Sequence, residues 1–600
     1  MFSRKTKIVC SMGPTTADDS IIEQLVQAGM NIARFNFSHG THDTHKEAMD
    51  RVKRVSAKLK IPVALLLDTK GPEIRTGMTA GGGTVTIRTG DTILITVDGQ
   101  ETTAATESQP ARLSVTWTAL PEKAVPGVRI LIADGLLELD VTEVTGKTVR
   151  CVARNTGSIG SRKNVNLIGI HAGLPIINDQ DKSDLAFGAE QGIDFVAASF
   201  VSFASEVNEI RRYLESINSR AKIIAKIENE EGLNNIEEIV KAADGVMVAR
   251  GDLGVQLPTE RIPLAQKHII EICRRSGKPV ITATQMLDSM IVNPRPTRAE
   301  LTDVANAIFD GTDAVMLSGE TANGAYPVEA VKTMARIAVT VEDSAEFCRK
   351  MNTEDMSDEY YPIGNIGLIM ARNAYTTARD VKAMVIIAPT LSGHTAHMIS
   401  KYRPEQAVIA VTPDPVVARQ LLLYWGVVPL HTKRADDSNE MIQNAVKTAL
   451  DAGAIHISDR IVLAAGVPLF SPLMLNTVRV LMVGNVLARG LSGGSADPEK
   501  PKASGRIVRA ATPGEARGLL KHHGGEILVC RNITQEYIPI LRIVNGVIAE
   551  HGSELSEQIL AMVNPNLVWL TSVAGATTTL ESGLVVTIDG TQLLVYEGTI

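Results

Sequence analysis

Eight short apolar runs, spaced along the first 320 residues, restrict what this chain can become. They lie at 7–12, 31–37, 62–68, 195–201, 222–228, 245–251, 279–285 and 314–320. The stretches at 18–29, 42–59, 206–218, 260–277 and 297–311 between them carry the apolar spacing of amphipathic helices. Strands alternating with helices predict a parallel sheet with right-handed crossovers, and eight such units predict a closed (β/α)8 barrel, an α/β fold. One interval breaks the alternation. Residues 72–172 carry strand-like runs at 84–87, 92–97, 129–133, 137–144 and 148–152, most of them separated by Gly- or Asp-containing turns. They predict an inserted β-barrel lid over the end of the barrel where chemistry takes place.

The barrel is thus expected over 1–71 and 173–345. A second α/β region is expected at 346–484, with strands near 383–389, 407–413, 461–466 and 477–483 in an open doubly wound sheet. The segment GLSGGSADPEKPKASG reads as a Gly/Ser/Pro-rich linker, and 500–600 as an extra small C-terminal α/β unit. Six hundred residues are too many for one core, which agrees with several domains. With 60 Lys+Arg against 67 Asp+Glu and no block of one sign, the chain has no dedicated nucleic-acid or membrane surface. It has no apolar run of about 18 residues, and MFSRKTKIVC lacks a signal-peptide core. Cys10, Cys151, Cys273, Cys348 and Cys530 are scattered without a CxxC pair, so neither a disulfide framework nor a zinc site is expected and the cytoplasm is the default compartment.

Lys226 and Glu228, two apart in KIIAKIENEEG, share a face of a strand whose other residues are apolar. Burying an ammonium and a carboxylate is costly unless they pair or bind something. Asp252 ends the similar run GVMVARGD. Two strand-end carboxylates beside a lysine suit a hard divalent cation and an anionic, phosphorylated substrate. A structural ion pair is the alternative for Lys226 and Glu228 taken alone. Arg34, Asn36, Ser38 and His39 end the second run, Asp68, Thr69, Glu73 and Arg75 the third, Arg250, Gly251 and Asp252 the sixth, and Thr284 the seventh. Five of eight strands converging on the C-terminal rim outweigh the structural alternative.

The stretches NIARFNFSHG, DTKGPEIRTG, IIAKIENEEGL, VMVARGDLGVQLP, ITATQMLDSMI, NPRPTRAELTDVANAIFDGTDAVMLSGETANGAYPVEAV and TLSGHTAH resemble the pyruvate kinase family over roughly the first 480 residues. The resemblance implies phosphoryl transfer from phosphoenolpyruvate to ADP, giving pyruvate and ATP. It implies Mg2+ or Mn2+ on Glu228 and Asp252, and Lys226 and Arg34 on the transferring phosphate. Backbone N–H groups around Gly251 and Asp252 would meet the substrate carboxylate, and Thr284 the enolate. Asn36, Ser38, Asp68 and Thr69 would hold K+, and Glu73 goes with potassium dependence. His39 and Arg75, with Asn36, would face the nucleotide. A homotetramer follows by family analogy. A catalytically inactive metabolite sensor and another Mg-dependent enolpyruvate barrel are the competing readings.

Three regions depart from the family pattern. Gln180 and Ser202 stand where basic residues are common, lowering positive charge near the cleft. TLSGHT, with Thr390, Ser392, Gly393 and Thr395, resembles a loop that cradles an effector phosphate, so a sugar phosphate or AMP is expected there. The partner loop reads GVPLFSPLMLN, where Phe470, Pro472 and Leu473 remove donors and flexibility. The last hundred residues resemble the phosphohistidine swivelling domain of phosphoenolpyruvate-utilising enzymes. Glu557 stands at the histidine position there, and His551 lies off the motif, so a packing or regulatory unit is expected.

Overall fold

The structure, a computed structural model, describes residues 4–170, 172–353, 365–457, 459–468, 475–484, 486–520 and 526–598. They form two compact units, one of Met1–Arg372, Pro389–Lys433 and Pro472–Leu475, the other of Asn373–Ala388, Arg434–Ser471 and Asn476–Ile600.

Eight parallel strands close the barrel of the first unit: β1 (Lys7–Ser11), β2 (Ile32–Asn36), β3 (Ala64–Asp68), β4 (Phe195–Ala198), β5 (Lys222–Ile227), β6 (Gly245–Ala249), β7 (Val280–Ala283) and β8 (Ala314–Leu317). Each strand pairs with the next in sequence, and β8 returns to β1. Both strand faces are buried, which is why the runs read as continuous rather than alternating. Val9, Ile32, Leu66, Ile224, Met247 and Ile281 fill the interior. Ile8, Ala33, Leu67, Ile223, Val248 and Val280 pack outward against the helices. A side-chain period of two therefore puts Arg34, Asp68 and Lys226 on the interior face, two residues above Ile32, Leu66 and Ile224.

Helices at Asp19–Ala28, His42–Leu59, Ala204–Ser216, Ile262–Arg275 and Arg298–Phe309 occupy the expected stretches. Asp18, Thr41 and Thr297 cap three of them through side-chain acceptors. The segment Pro389–Lys433 belongs to the same unit and covers the N-terminal strand ends. Leu422 and Leu423 join the interior cluster. Arg403 forms a buried ion pair with Asp313 at 2.7 Å, and Arg419 reaches Asp194 at 2.9 Å.

In the insert, six strands order as Val165–Leu167, Arg129–Ile132, Leu137–Thr145, Thr148–Ala153, Thr92–Thr96 and Ala111–Ser114. Arg75 bridges to Asn164 and Thr76 to Val115, so one chain segment ties the two edges together and rounds off a barrel. Ile93, Ile95, Leu113, Ile130, Leu139 and Val149 fill its core. The strands at 111–114, 157–159 and 165–167 lie outside the expected runs, being short and flanked by polar residues.

Within the α/β region, Ala407–Thr412 pairs in parallel with Val427–His431 in the first unit. In the second unit Val385–Pro389 pairs in parallel with Arg460–Ala465, which pairs antiparallel with Thr477–Met482.

An eight-stranded sheet with apolar clusters on both faces starts at Val486, before the expected boundary at 500, because Val486–Arg489 and Ser492–Ser495 supply two of its strands. Here the expected linker is corrected. Ser492–Ser495 is a strand paired with Val568–Thr571, and Lys502–Arg509 is another, paired with Ile527–Cys530 and Val585–Asp589. A Cβ on Gly494 would meet the Trp569 ring at 2.7 Å, so this glycine serves close packing rather than flexibility.

Candidate active site

Lys226 projects from β5 into the rim of the barrel. Its Nζ lies 3.0 Å from Asp68 Oδ1, 2.9 Å from Glu228 Oε1 and 2.7 Å from Ser199 Oγ. Ser199 Oγ donates in turn to the Thr69 carbonyl at 2.7 Å. Burial works against the ammonium, but Asp68 and Glu228 outweigh it and hold the Lys226 pKa above the usual lysine value. Arg34 crosses from β2, its Nε 2.7 Å from Asp68 Oδ2 and its Nη1 donating to Ser11 Oγ at 2.7 Å. Asp68 is thus clasped from both sides. Burial opposes its charge, and the two cations prevail, leaving its pKa lowered.

Glu228 and Asp252 have the opposite balance. Burial pushes the Glu228 pKa up to about 7, with Asp252 adding to the rise and Lys226 resisting it. Asp252 is raised too, by burial first. Two buried carboxylates that line one cavity and both resist ionisation suit a proton or a cation between them. A pair fits magnesium, which takes one or two protein carboxylates and completes its octahedron with substrate oxygens and water. Among the described residues no group of three or more His, Cys, Asp and Glu is arranged to hold a metal. Glu228 is aimed by the Phe200 N–H, which donates to Oε2 at 2.6 Å from a left-handed backbone at φ +59°. A bulky residue there is strained, and strain of this kind persists where the surroundings over-determine a site.

At the end of β7, Thr284 and Gln285 both have positive φ, +66° and +53°. Thr284 Oγ1 accepts from Gly251 N–H at 2.8 Å and donates to the Ala283 carbonyl at 2.7 Å. Arg250 braces this turn. Its Nη2 donates to the Thr284 carbonyl at 2.6 Å, while Nη1 sits 2.8 and 2.7 Å from the two Asp303 oxygens. Gly251 and Asp252 belong to the short helix Arg250–Gln256 that follows β6.

Asn36 and Asp68 are register partners across β2 and β3, and Asn36 Oδ1 accepts from Ser38 N–H at 3.1 Å. Thr69 Oγ1 faces the Ala197 carbonyl at 3.3 Å and accepts from Ser199 N–H. Arg75 closes on Glu73 at 2.6 Å and on the Arg162 carbonyl. His39 takes the Nε2 of His45 on its carbonyl. Gln180 donates to Asp184 at 2.8 Å, an oxygen also met by His42 at 2.7 Å. Ser202 is fixed by Glu206 and Asn229. A cavity of about 320 Å³ opens between the lid and the rim, lined by Glu73, Asn166, Phe200, Ser202, Glu228 and Asp252 among others.

Sequence reasoning overlooked three contributors. Ser199 and Phe200 sit in AASFV just past β4, where a serine ending an apolar run is the available signal. Asp134, in the lid, adds to the rise of the Asp252 pKa through its charge, a long-range approach that the sequence pattern does not reveal. Asp68 was expected around a monovalent cation, and it also joins Arg34 to Lys226.

Outside the rim, Gly393 N–H donates to Thr390 Oγ1 at 2.9 Å, and Gly393 has φ +85°. Ser392 is exposed and Thr395 buried in the helix His394–Ser400. Phe470, Pro472 and Leu473 lie outside the described residues. Glu557 opens the helix Glu557–Val563, and His551 accepts the Ser572 N–H on its carbonyl.

Residues 3–331 match the family model described as pyruvate kinase, barrel domain. Residues 369–481 match its alpha/beta domain. Residues 522–592 match the mobile domain of PEP-utilising enzymes. A pyruvate kinase of Sporosarcina psychrophila is 42% identical over 598 residues, covering 99% of both chains. A pyruvate kinase of Staphylococcus aureus strain MRSA252 is 41% identical over 597 residues, again covering 99% of both. A solved pyruvate kinase structure from Cryptosporidium parvum superposes with TM-score 0.75 at 39% identity, covering 80% of this chain and 96% of the other.

Proposed function

The chain belongs to the pyruvate kinase family, and on that premise we propose how its rim performs the reaction. The enzyme transfers the phosphoryl group of phosphoenolpyruvate to ADP, giving pyruvate and ATP in the final step of glycolysis. The observation that carries the residue assignment is the charge cluster: one ammonium on two carboxylates, one of which, Glu228, lines the same cavity as Asp252.

Lys226 neutralises charge on the phosphoryl group as its bond to the enol oxygen breaks and its bond to the ADP oxygen forms. Arg34 grips the same group from β2 and is held in place by Asp68 and Ser11. Glu228 and Asp252 would hold magnesium, or manganese in its place, and the ion would supply Lewis-acid stabilisation of negative charge on the substrate. Backbone N–H groups around Gly251 and Asp252 receive the carboxylate. The enolate left behind takes a proton at its methylene carbon on the side of Thr284, whose hydroxyl is already oriented by Gly251 and Ala283. Phosphoryl transfer asks for positioning and charge rather than covalent help, which this cluster provides.

Asn36, Ser38, Asp68 and Thr69 form an oxygen shell for potassium, and Glu73 fits the potassium-dependent pattern. His39, Arg75 and Asn36 face the nucleotide phosphates. Thr390, Ser392, Gly393 and Thr395 cradle an effector phosphate from a sugar phosphate or AMP. Residues 1–71 with 173–345 act as the catalytic barrel, 72–172 as its lid, 346–484 as a regulatory domain and the C-terminal unit from 486 onward as an appendage without phosphotransfer. The enzyme works as a cytoplasmic homotetramer. Five free cysteines support the reducing compartment, and no helix among the described residues is long and apolar enough to cross a membrane.

A coupled assay with phosphoenolpyruvate, ADP and magnesium tests the reading. ATP formation that rises steeply with potassium is expected. Full turnover without potassium overturns the oxygen shell, and no turnover with all four present overturns the site.

A further inference from the structure

Both connections between the barrel and its lid pass one buried carboxylate. The first leaves β3 through Thr69, Lys70 and Gly71 and enters the lid core at Ile74. The second packs on the lid core at Leu174, enters the barrel core at Ile176 and Ile177, and leads into the helix Asp179–Glu190. Asp181, 1% exposed, lies in the first turn of that helix. Its Oδ1 accepts from the Gly71 N–H at 3.3 Å and its Oδ2 from the Asn178 N–H at 3.1 Å. We propose that Asp181 is a positioning residue for phosphoryl transfer, clasping both lid connections so that Gly71 steadies the residues that aim Lys226 and Glu228.

Gly71 joins the clasp to the rim. It has φ +69°, and a Cβ there would lie 2.8 Å from Ser199 Cβ and 3.4 Å from the Phe200 ring. Glycine lets the backbone come this close in that conformation. Ser199 Oγ lies 2.7 Å from Lys226 Nζ, and the Phe200 N–H donates to Glu228 Oε2 at 2.6 Å. Close-packed interiors transmit strain, so a displaced Gly71 backbone displaces Ser199 and Phe200 with it. The lysine ammonium and the glutamate carboxylate then lose their aim together.

A helix cap alone does not require this arrangement. Asn178 and Asp181 already form a reciprocal capping box, in which Asn178 Oδ1 accepts from the Asp181 N–H at 2.9 Å. The bond to Gly71 crosses 110 residues of sequence and adds nothing to the helix. Burial pushes the Asp181 pKa up, and the Asn178 and Gly71 N–H groups oppose the rise. Truncating a buried acceptor leaves its donors unpaired, which costs more than the hydrogen bonds themselves contribute.

The clasp rests on the roles assigned to Lys226 and Glu228 in the proposed reaction, and one set of measurements separates the two. Steady-state kinetics, amide hydrogen exchange and thermal melting would compare Asp181→Ala, Asp181→Asn, Asn178→Ala and Lys226→Met in the full-length enzyme. Asp181→Ala is expected to lower kcat about tenfold while the KM for phosphoenolpyruvate stays within about twofold. Exchange of the Gly71 amide should quicken about tenfold or more in the same variant. Asp181→Asn keeps one acceptor oxygen and nearly the same shape, so it guards against a folding failure, with kcat expected to fall about threefold. Asn178→Ala removes the cap but keeps both backbone donors of the clasp. Its melting temperature should fall, while kcat and Gly71 exchange stay within about twofold. Unchanged kcat in both Asp181 variants, unchanged Gly71 exchange, a KM that rises in step, or an equal loss of kcat in Asn178→Ala overturns the proposal. Near-parental turnover of Lys226→Met defeats the rim assignment and the clasp with it. Lost turnover there beside normal Asp181 variants overturns the clasp alone.

Discussion

Lys226 at the rim of the barrel and Lys7 at its opposite end are both buried in strands, yet their environments drive them apart. Lys226 has two carboxylates within 3.0 Å, and its pKa is raised. Lys7 donates to the Val427 carbonyl at 2.6 Å, and burial, with help from Arg4, lowers its pKa to about 7. Burial alone therefore does not decide whether an ammonium stays charged. Full charges at contact distance do, and a neutral carbonyl is too weak to replace them. The rim is built to keep a cation permanently available, whereas Lys7 can give up its proton near neutrality.

The largest expected effect breaks the rim side of that comparison. Glu228→Gln removes one of the carboxylates that hold Lys226 charged and one proposed ligand of the divalent ion. Turnover is expected to fall by about a hundredfold or more, with a matching loss of magnesium affinity. Turnover within threefold of the parent enzyme, read against magnesium concentration, would show Glu228 to be dispensable.

Ser199→Ala sharpens the same point by leaving all charges in place. The lost hydrogen bond lets Lys226 wander, so kcat should fall about tenfold while the KM for phosphoenolpyruvate changes little. An equal shift in KM would mean that Ser199 shapes the pocket rather than positioning the lysine.

Lys7→Met probes the other end. Folding lowers the Lys7 pKa, so between about pH 7 and 10 the unfolded chain holds a proton that the folded chain has released. Stability from this group is present at alkaline pH and lost as pH falls toward 7, by up to about 1.4 kcal/mol per unit. The gap in urea midpoint between parent and variant should therefore change between pH 7 and pH 9. A constant gap would place the Lys7 pKa near its ordinary value.

Smallest is the effect of Glu557→Ala, in the helix of the appendage that the mobile-domain likeness makes a candidate for phosphotransfer. Turnover should stay within about twofold, since this residue begins a helix and its substitution touches only surface electrostatics. Phosphorylated protein appearing after incubation with phosphoenolpyruvate would give that domain a chemical role after all.

Much of the rim was legible because a strand's period of two is strict. Once Ile224 is placed inside the barrel, Lys226 must follow, and the same holds for Arg34 above Ile32 and Asp68 above Leu66. Helix ends were readable where a capping side chain stands, as at Asp18 and Thr41. Ser199, Phe200 and Asp134 escaped notice because their contributions are contacts across strands and between lid and barrel. The glycines near 493 misled because close packing on Trp569 and chain flexibility demand the same residue.

Turnover and substrate binding of Lys226→Met, measured side by side, test the central claim most directly. The account predicts a drop in kcat of about a thousandfold or more, with magnesium-dependent affinity for phosphoenolpyruvate kept within a few fold. Turnover within tenfold of the parent enzyme would contradict it, because phosphoryl transfer would then proceed without the one cation this rim is organised to hold.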